Sequence, residues 1–267
     1  MRIMKKILSA IVTVLVFTSC STDYNVQGSS SVTSLDGSKL YLKTVQDQNL
    51  KSLDSCDVVH GKFQFSGVLD TVRIASIFMD DESIMPVVLE DGEITIQIDH
   101  AKQTVTGTAL NDTLYKFIDL FNQLDNRMNE LGHKQNQMIL EGIDENIIME
   151  EVGREADKLA AEREQLMTKA VTDNFNNVLG PYFFEMLTSI YRYPVLTPQI
   201  EFIMSKASDK FKRDPYVRDY YETAQQNEKR MQGFDVDDPT INDNTAPPSS
   251  NPSDTLQRTP IINVPQK

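Results

Sequence analysis

The apolar pattern of this chain changes period once, near Leu110, and that change limits the folds open to it. Before it, apolar residues alternate: Phe63, Phe65 and Val68 lie largely on one parity, and Ile94, Ile96 and Ile98 strictly on one. A period of two marks half-buried strands. After it, Leu114, Phe117, Phe121, Leu124, Met128 and Leu131 recur at steps of three and four, which lines one face of a helix. A strand-rich block followed by a helix-rich block predicts an α+β fold. The expected architecture is an antiparallel β-sandwich or open barrel followed by an α-helical region with a long helical hairpin.

Turn residues divide the strand block. Strands are predicted over 24–32, 40–45, 53–59, 62–69, 71–79, 85–89, 93–99 and 104–107. Leu35-Asp36-Gly37-Ser38 reads as the turn between the first two. His60-Gly61 and Asp91-Gly92 read as tight hairpin turns, where glycine supplies positive backbone angles cheaply. Pro86 marks a strand start or an edge, because it has no N–H to give a central ladder. The β domain spans 24–108 on this reading and the helical region 109–232.

Asn111-Asp112 offers a cap for the first helix, and Gly142-Ile143-Asp144 a break before a second that carries Ile148, Val152, Leu159 and Leu166. The two stripes pair as an antiparallel hairpin. A more buried helix is expected over 171–190, kinked at Gly180-Pro181, then helices over 200–207 and 215–231, with Pro215 suited to a first helical position. Beyond Gly233 the text is rich in Pro and Asp and lacks a period, so 233–267 is expected to be a disordered tail.

The N-terminus reads as an address. Arg2, Lys5 and Lys6 precede an apolar run from Ile7 to Phe17, too short for a permanent span and suited to a signal peptide over 1–19. Phe17-Thr18-Ser19-Cys20 resembles the lipobox of bacterial lipoproteins, with Phe17 where Leu is usual. That resemblance implies cleavage before Cys20, diacylation of Cys20 with palmitate among the acyl chains, and a short tether over 20–23. The bland alternative is an ordinary signal peptide followed by an incidental cysteine.

With Cys20 lipidated, Cys56 is the one remaining thiol, which excludes an internal disulfide and a C-x-x-C pair. Cys56 is either a small strand residue or a reactive thiol. The three histidines, His60, His100 and His133, share no metal-binding spacing, so neither a metal nor a cofactor is expected. Net charge is −13, three more negative once Arg2, Lys5 and Lys6 leave with the leader, and such a surface repels nucleic acid. Runs such as Asp80-Asp81-Glu82 are solvated surface unless something drives their pKa values apart. No nucleophile motif or phosphate loop is present in the sequence. Tyr182, Phe184 and Tyr191 are either core or the lining of a ligand groove.

Leu53-Asp54-Ser55, Val58, Gly61, Phe63, Phe65 and Gly67, then Leu89-Glu90-Asp91-Gly92 and Val105-Thr106-Gly107-Thr108, together resemble a known domain of unknown function. That domain precedes the thioredoxin-like domain in many thiol–disulfide oxidoreductases and peroxiredoxin-like lipoproteins of Gram-negative gut bacteria. Asn174, Asn177 and Gly180 look like the helical segment that follows it, so the resemblance covers about residues 22–232. The chain has no Trp and no C-x-x-C, so the relatives' redox activity transfers to no residue here. What the resemblance implies is a place and a role. The place is the cell envelope, in the outer membrane facing the periplasm. The role is non-catalytic binding or scaffolding of an envelope protein, with oligomeric state open. The alternative is an accessory to a thioredoxin-like redox system, acting through Cys56 or the β domain. An enzyme using unrecognised residues is a third reading, which a pocket of perturbed carboxylates would revive.

Overall fold

The computed structural model describes residues 22–46 and 49–232. Within them the alternating block forms eight strands: β1 Thr22–Ser30, β2 Lys39–Gln46, β3 Asn49–Asp57, β4 Lys62–Leu69, β5 Arg73–Met79, β6 Glu82–Leu89, β7 Gly92–Ile98 and β8 Gln103–Thr106. The helical block forms α1 Ala109–Leu140, α2 Glu145–Asp173, α3 Leu179–Thr188, α4 Pro198–Lys206, α5 Asp209–Lys212 and α6 Pro215–Met231. The strands make two four-stranded sheets, ordered β4-β1-β7-β8 and β3-β2-β5-β6, around one apolar interior. The sandwich is not closed. Phe65, Leu40, Leu42, Ile77, Ile94 and Ile96 are wholly buried there, each contributing about 1.5–3 kcal/mol of apolar burial.

Several expectations need correction. The β-sandwich followed by helices stands as expected, and its named strand pairs are antiparallel except one: β1 runs parallel to β7 while pairing antiparallel with β4. Alternation carries no strand direction, so the sequence pattern could not reveal it. β1 begins at Thr22, so Thr22 and Asp23, expected in the tether, pair with Leu69 and Val68. Leu69 faces the core in place of Val68, which is 69% exposed. His60-Gly61 does make a tight turn, both residues at positive φ (51° and 68°). Asp91-Gly92 instead passes the chain from one sheet to the other, as Leu35–Ser38 does.

Asn111-Asp112 does not cap α1. Thr108 holds that place, and Asn111 is buried one turn inside. Asn111 completes the edge of the sheet instead: its Oδ1 accepts from the Val88 N–H (2.9 Å), and its Nδ2 donates to the Val88 carbonyl (2.8 Å) and to Thr108 Oγ1 (2.8 Å). Glu90 Oε1 accepts from the Leu110 and Asn111 N–H groups at the helix start, and Tyr115 Oη donates to the Pro86 carbonyl (2.9 Å). β6 is thus an edge strand, as Pro86 predicts, with its outward groups met by α1.

α1 and α2 form the expected hairpin. Asp144 caps α2 by accepting from the Asn146 N–H. Near its tip the hairpin has a separate small core of Leu131, Met138, Ile148, Val152 and Leu159. The kink expected at Gly180-Pro181 lies earlier. The chain leaves α2 at Asn174, whose Nδ2 donates to the Ala170 carbonyl; Asn177 Nδ2 donates to Asn174 Oδ1, and Asn177 Oδ1 accepts from the Leu179 N–H. α3 then starts, with Pro181 in its first turn, where an N–H has no helical partner to lose. A Cβ on Gly180 would sit 2.4 Å from the Asn174 carbonyl oxygen, so the corner requires glycine. The helix expected over 200–207 begins two residues earlier, with Pro198 opening α4. The four-residue α5 was not foreseen. Phe117, Phe183, Phe184 and Phe211 join the helices to the sandwich core, making one continuous interior.

Candidate ligand cleft

The sheet β3-β2-β5-β6 presents an outer face as well as its buried one. On β2 the inward residues are Leu40, Leu42 and Thr44, which leaves Tyr41, Lys43 and Val45 outward. On β5, Ala75 and Ile77 are buried, and Ile74, Ser76 and Phe78 are partly open. The two rows lie side by side, with Tyr41 paired to Phe78 and Lys43 to Ser76. α3 and the start of α6 stand opposite this face.

Between these walls lies an open cleft of about 610 Å³. Its sheet side carries Lys43, Val45, Leu50, Val72, Ile74 and Phe78, and its helical side Val178, Pro181, Tyr182, Glu185, Met186, Asp214 and Tyr216. Val45 and Leu50 are 70% and 55% exposed, so the apolar wall faces solvent.

The charges of the cleft are unequally engaged. Lys43 lies over the Phe78 ring (4.7 Å) and the Tyr41 ring (5.3 Å) and donates to the Asp80 carbonyl. Arg73 pairs with Asp70. Asp214 uses Oδ1 to cap α6, accepting from the Tyr216 and Val217 N–H groups. The Glu185 carboxylate has no hydrogen bond or ion pair among the described residues; the backbone carbonyl of Glu185 accepts from the Ser189 N–H and from Thr188 Oγ1. Its carboxylate is open to the cleft yet crowded by the walls, and partial burial, then the negative charge of Asp214, raises its pKa. Tyr182 is pushed up to about 12 by burial and by Glu185. Tyr216, bonded through its hydroxyl to Thr188 Oγ1 (2.8 Å), is also raised by burial. An open cleft with an apolar sheet wall and an unpaired carboxylate on its helical wall suits a ligand with an apolar body and a cationic group.

Of the three residues expected to line a groove, only Tyr182 does so. Phe184 is fully buried, packed edge-on against Phe211 and Tyr220, and Tyr191 packs against the core outside the cleft. Glu185, Lys43, Phe78 and Tyr216 were missed. Tyr41, Lys43 and Val45 share one parity, and their two apolar members beside a cation were a usable signal that this sheet face is not plain solvent surface.

Cys56 is a free, partly exposed residue of β3. Burial raises its thiol pKa, with Asp54 and Asp57 adding to the rise and a hydrogen bond from the Gln64 backbone opposing it. That favours the small strand residue over the reactive thiol. Among the described residues no group of three or more His, Cys, Asp or Glu is placed to hold a metal, and no helix is long and apolar enough to cross a membrane. Cys20, the signal peptide and the 233–267 tail lie outside the described residues.

Residues 24–114 match the family described as Domain of unknown function (DUF4369). The match covers the sandwich and the first turn of α1, including the Glu90, Asn111 and Thr108 joint. No curated protein and no solved structure matches the chain.

Proposed function

We propose that this chain is a non-catalytic binding protein of the cell envelope, carried on the periplasmic face of the outer membrane by lipid on Cys20. The cleft between the outer sheet face and α3 is its binding surface, and an extended peptide with apolar side chains and a cationic group is its ligand. The observation behind this reading is Glu185, an unpaired carboxylate set among apolar residues whose neighbouring cations are already engaged. Work with a thioredoxin-like partner is the alternative, and it would run through the β domain rather than Cys56, because a thiol raised above its ordinary pKa supplies little thiolate at neutral pH.

The test uses two synthetic probes, an eight-residue Ile/Val peptide with one central Lys and the same peptide with Glu. The Lys probe is expected to bind about tenfold more tightly, worth about 1.4 kcal/mol, and Glu185→Lys to reverse the preference. Equal affinity for the two probes, unchanged in Glu185→Lys, would sink the cleft assignment. The anchor is read separately: Cys20→Ala should move the protein out of the membrane fraction and abolish palmitate labelling.

A further inference from the structure

The α1–α2 hairpin stands clear of the main interior. Phe121 on α1 and Leu166 on α2 are the last apolar residues toward the tip that pack against that interior, and beyond them the two helices enclose a small core of their own. Leu140 and Ile147 lie about 28 Å further along their helices at the ordinary rise. Much of the tip is apolar and open: Leu140 is 88% exposed, and Ile139, Ile147 and Met149 are each more than half exposed. Adjacent helical residues point about 100° apart and residues two apart about 200°. Ile139 with Leu140, and Ile147 with Met149, therefore surround the tip rather than line one side of it. The turn they flank is acidic. Residues 139–150 hold Glu141, Asp144, Glu145 and Glu150 and no Lys, Arg or His. Lys134, the nearest cation on α1, is bound to Glu151, and Arg154, the nearest on α2, lends its charge to the same carboxylate. We propose that this tip is a second interaction surface, a plug for a concave apolar socket with a basic rim on another protein.

Shape and charge together choose this occupant. A bilayer entered end-on would have to take in Glu141, Asp144 and Glu145, and hydrocarbon expels carboxylates. An anionic headgroup layer repels the same groups. A second copy would set two convex tips and two acidic turns against each other. At about 100 Å² per open side chain, the four apolar residues fall well short of the about 800 Å² per partner that a stable interface buries. A socket closes around the tip on every side and reaches the flanks of both helices for the remaining area. Its basic rim meets the acids of the turn, which the hairpin leaves without a nearby free cation. The surface is separate from the cleft, so neither reading depends on the other, and one anchored chain could hold two partners at once.

The experiment follows the full chain by NMR through labelled Met and Ile methyl groups, with two short synthetic helical peptides as probes. One is built of Leu and Lys, so that ammonium groups border its apolar face; the other is built of Leu and Glu. The Leu/Lys peptide should shift Met149 and Ile147 and leave Met204, buried in the main interior, in place. The Leu/Glu peptide should shift none of them. Leu140→Ser should weaken the Leu/Lys contact about tenfold at unchanged Tm, since the side chain it removes is open to solvent. Changing Glu141→Lys and Glu145→Lys together should transfer the preference to the Leu/Glu peptide. Tip signals that ignore both peptides, or that respond equally in Leu140→Ser, overturn the inference. Self-association in sedimentation that Leu140→Ser abolishes also overturns it, assigning the tip to a second copy. Broadening of Met149 by phosphatidylcholine vesicles does the same, assigning the tip to a membrane.

Discussion

Replacing Asn111 with Ala tests how the sandwich is joined to its helices. Asn111 and Val88 are both wholly inaccessible to solvent, and the Asn carboxamide meets the Val88 N–H and carbonyl as a neighbouring strand would. Truncation leaves both Val88 groups buried without partners, each costing about 1–3 kcal/mol. The expected loss is about 4 kcal/mol, toward the low end of the 2–6 range if one water enters the vacated space. That is a large share of the roughly 5–15 kcal/mol typical of a folded domain. Asn111→Asp should do no better at neutral pH, since it sets a carboxylate oxygen against the Val88 carbonyl and buries a charge. Urea unfolding measures the loss, and hydrogen exchange at the Val88 amide, which should accelerate, locates it. A loss under about 1 kcal/mol with Val88 still protected would show that the edge does not depend on this side chain.

Further expectations follow from other residues. Glu185 has a folded pKa above its unfolded value, so its ionised form opposes folding at neutral pH and its protonated form does not. Glu185→Gln should therefore raise Tm modestly at pH 7, with the gain vanishing as pH falls below the ordinary Glu value of about 4.3. Gly180→Ala should destabilise by about 1–3 kcal/mol, because its Cβ collides with the Asn174 carbonyl; an unchanged Tm would mean the corner yields freely. Cys56 should react with a disulfide reagent at pH 7.5 more slowly than a free cysteine, and equal rates would contradict the raised thiol pKa. Leu159→Ala should speed hydrogen exchange across the distal hairpin while leaving β7 protected, since Leu159 belongs to the separate tip core.

Much of this fold was legible because local pattern and tertiary role agree. Each of the eight strands overlaps a strand predicted from the sequence, and the hairpin follows from two stripes broken at Gly142. What failed was non-local. Nothing in the period of β1 distinguishes a parallel neighbour from an antiparallel one, and Asn111 looks like a cap until the edge of β6 is brought beside it. The cleft failed differently. Its walls come from strands near 45–78 and helices near 178–216, whose meeting no spacing announces. Part of the error was avoidable: residues two apart on a helix point about 200° from one another, so Tyr182 and Phe184 could not both face one groove.

The position of β1 has a mechanical consequence. The first strand is not at an edge but between β4 and β7, paired through eight positions on one side and seven on the other. A load reaching the chain through its N-terminus would pull β1 along its own axis. The hydrogen bonds of both ladders would then resist together in shear, where a peripheral strand would let them open one after another. A protein tethered at that end would hold its shape under traction from a bound partner, and the anchoring strand would be among the last parts to give way.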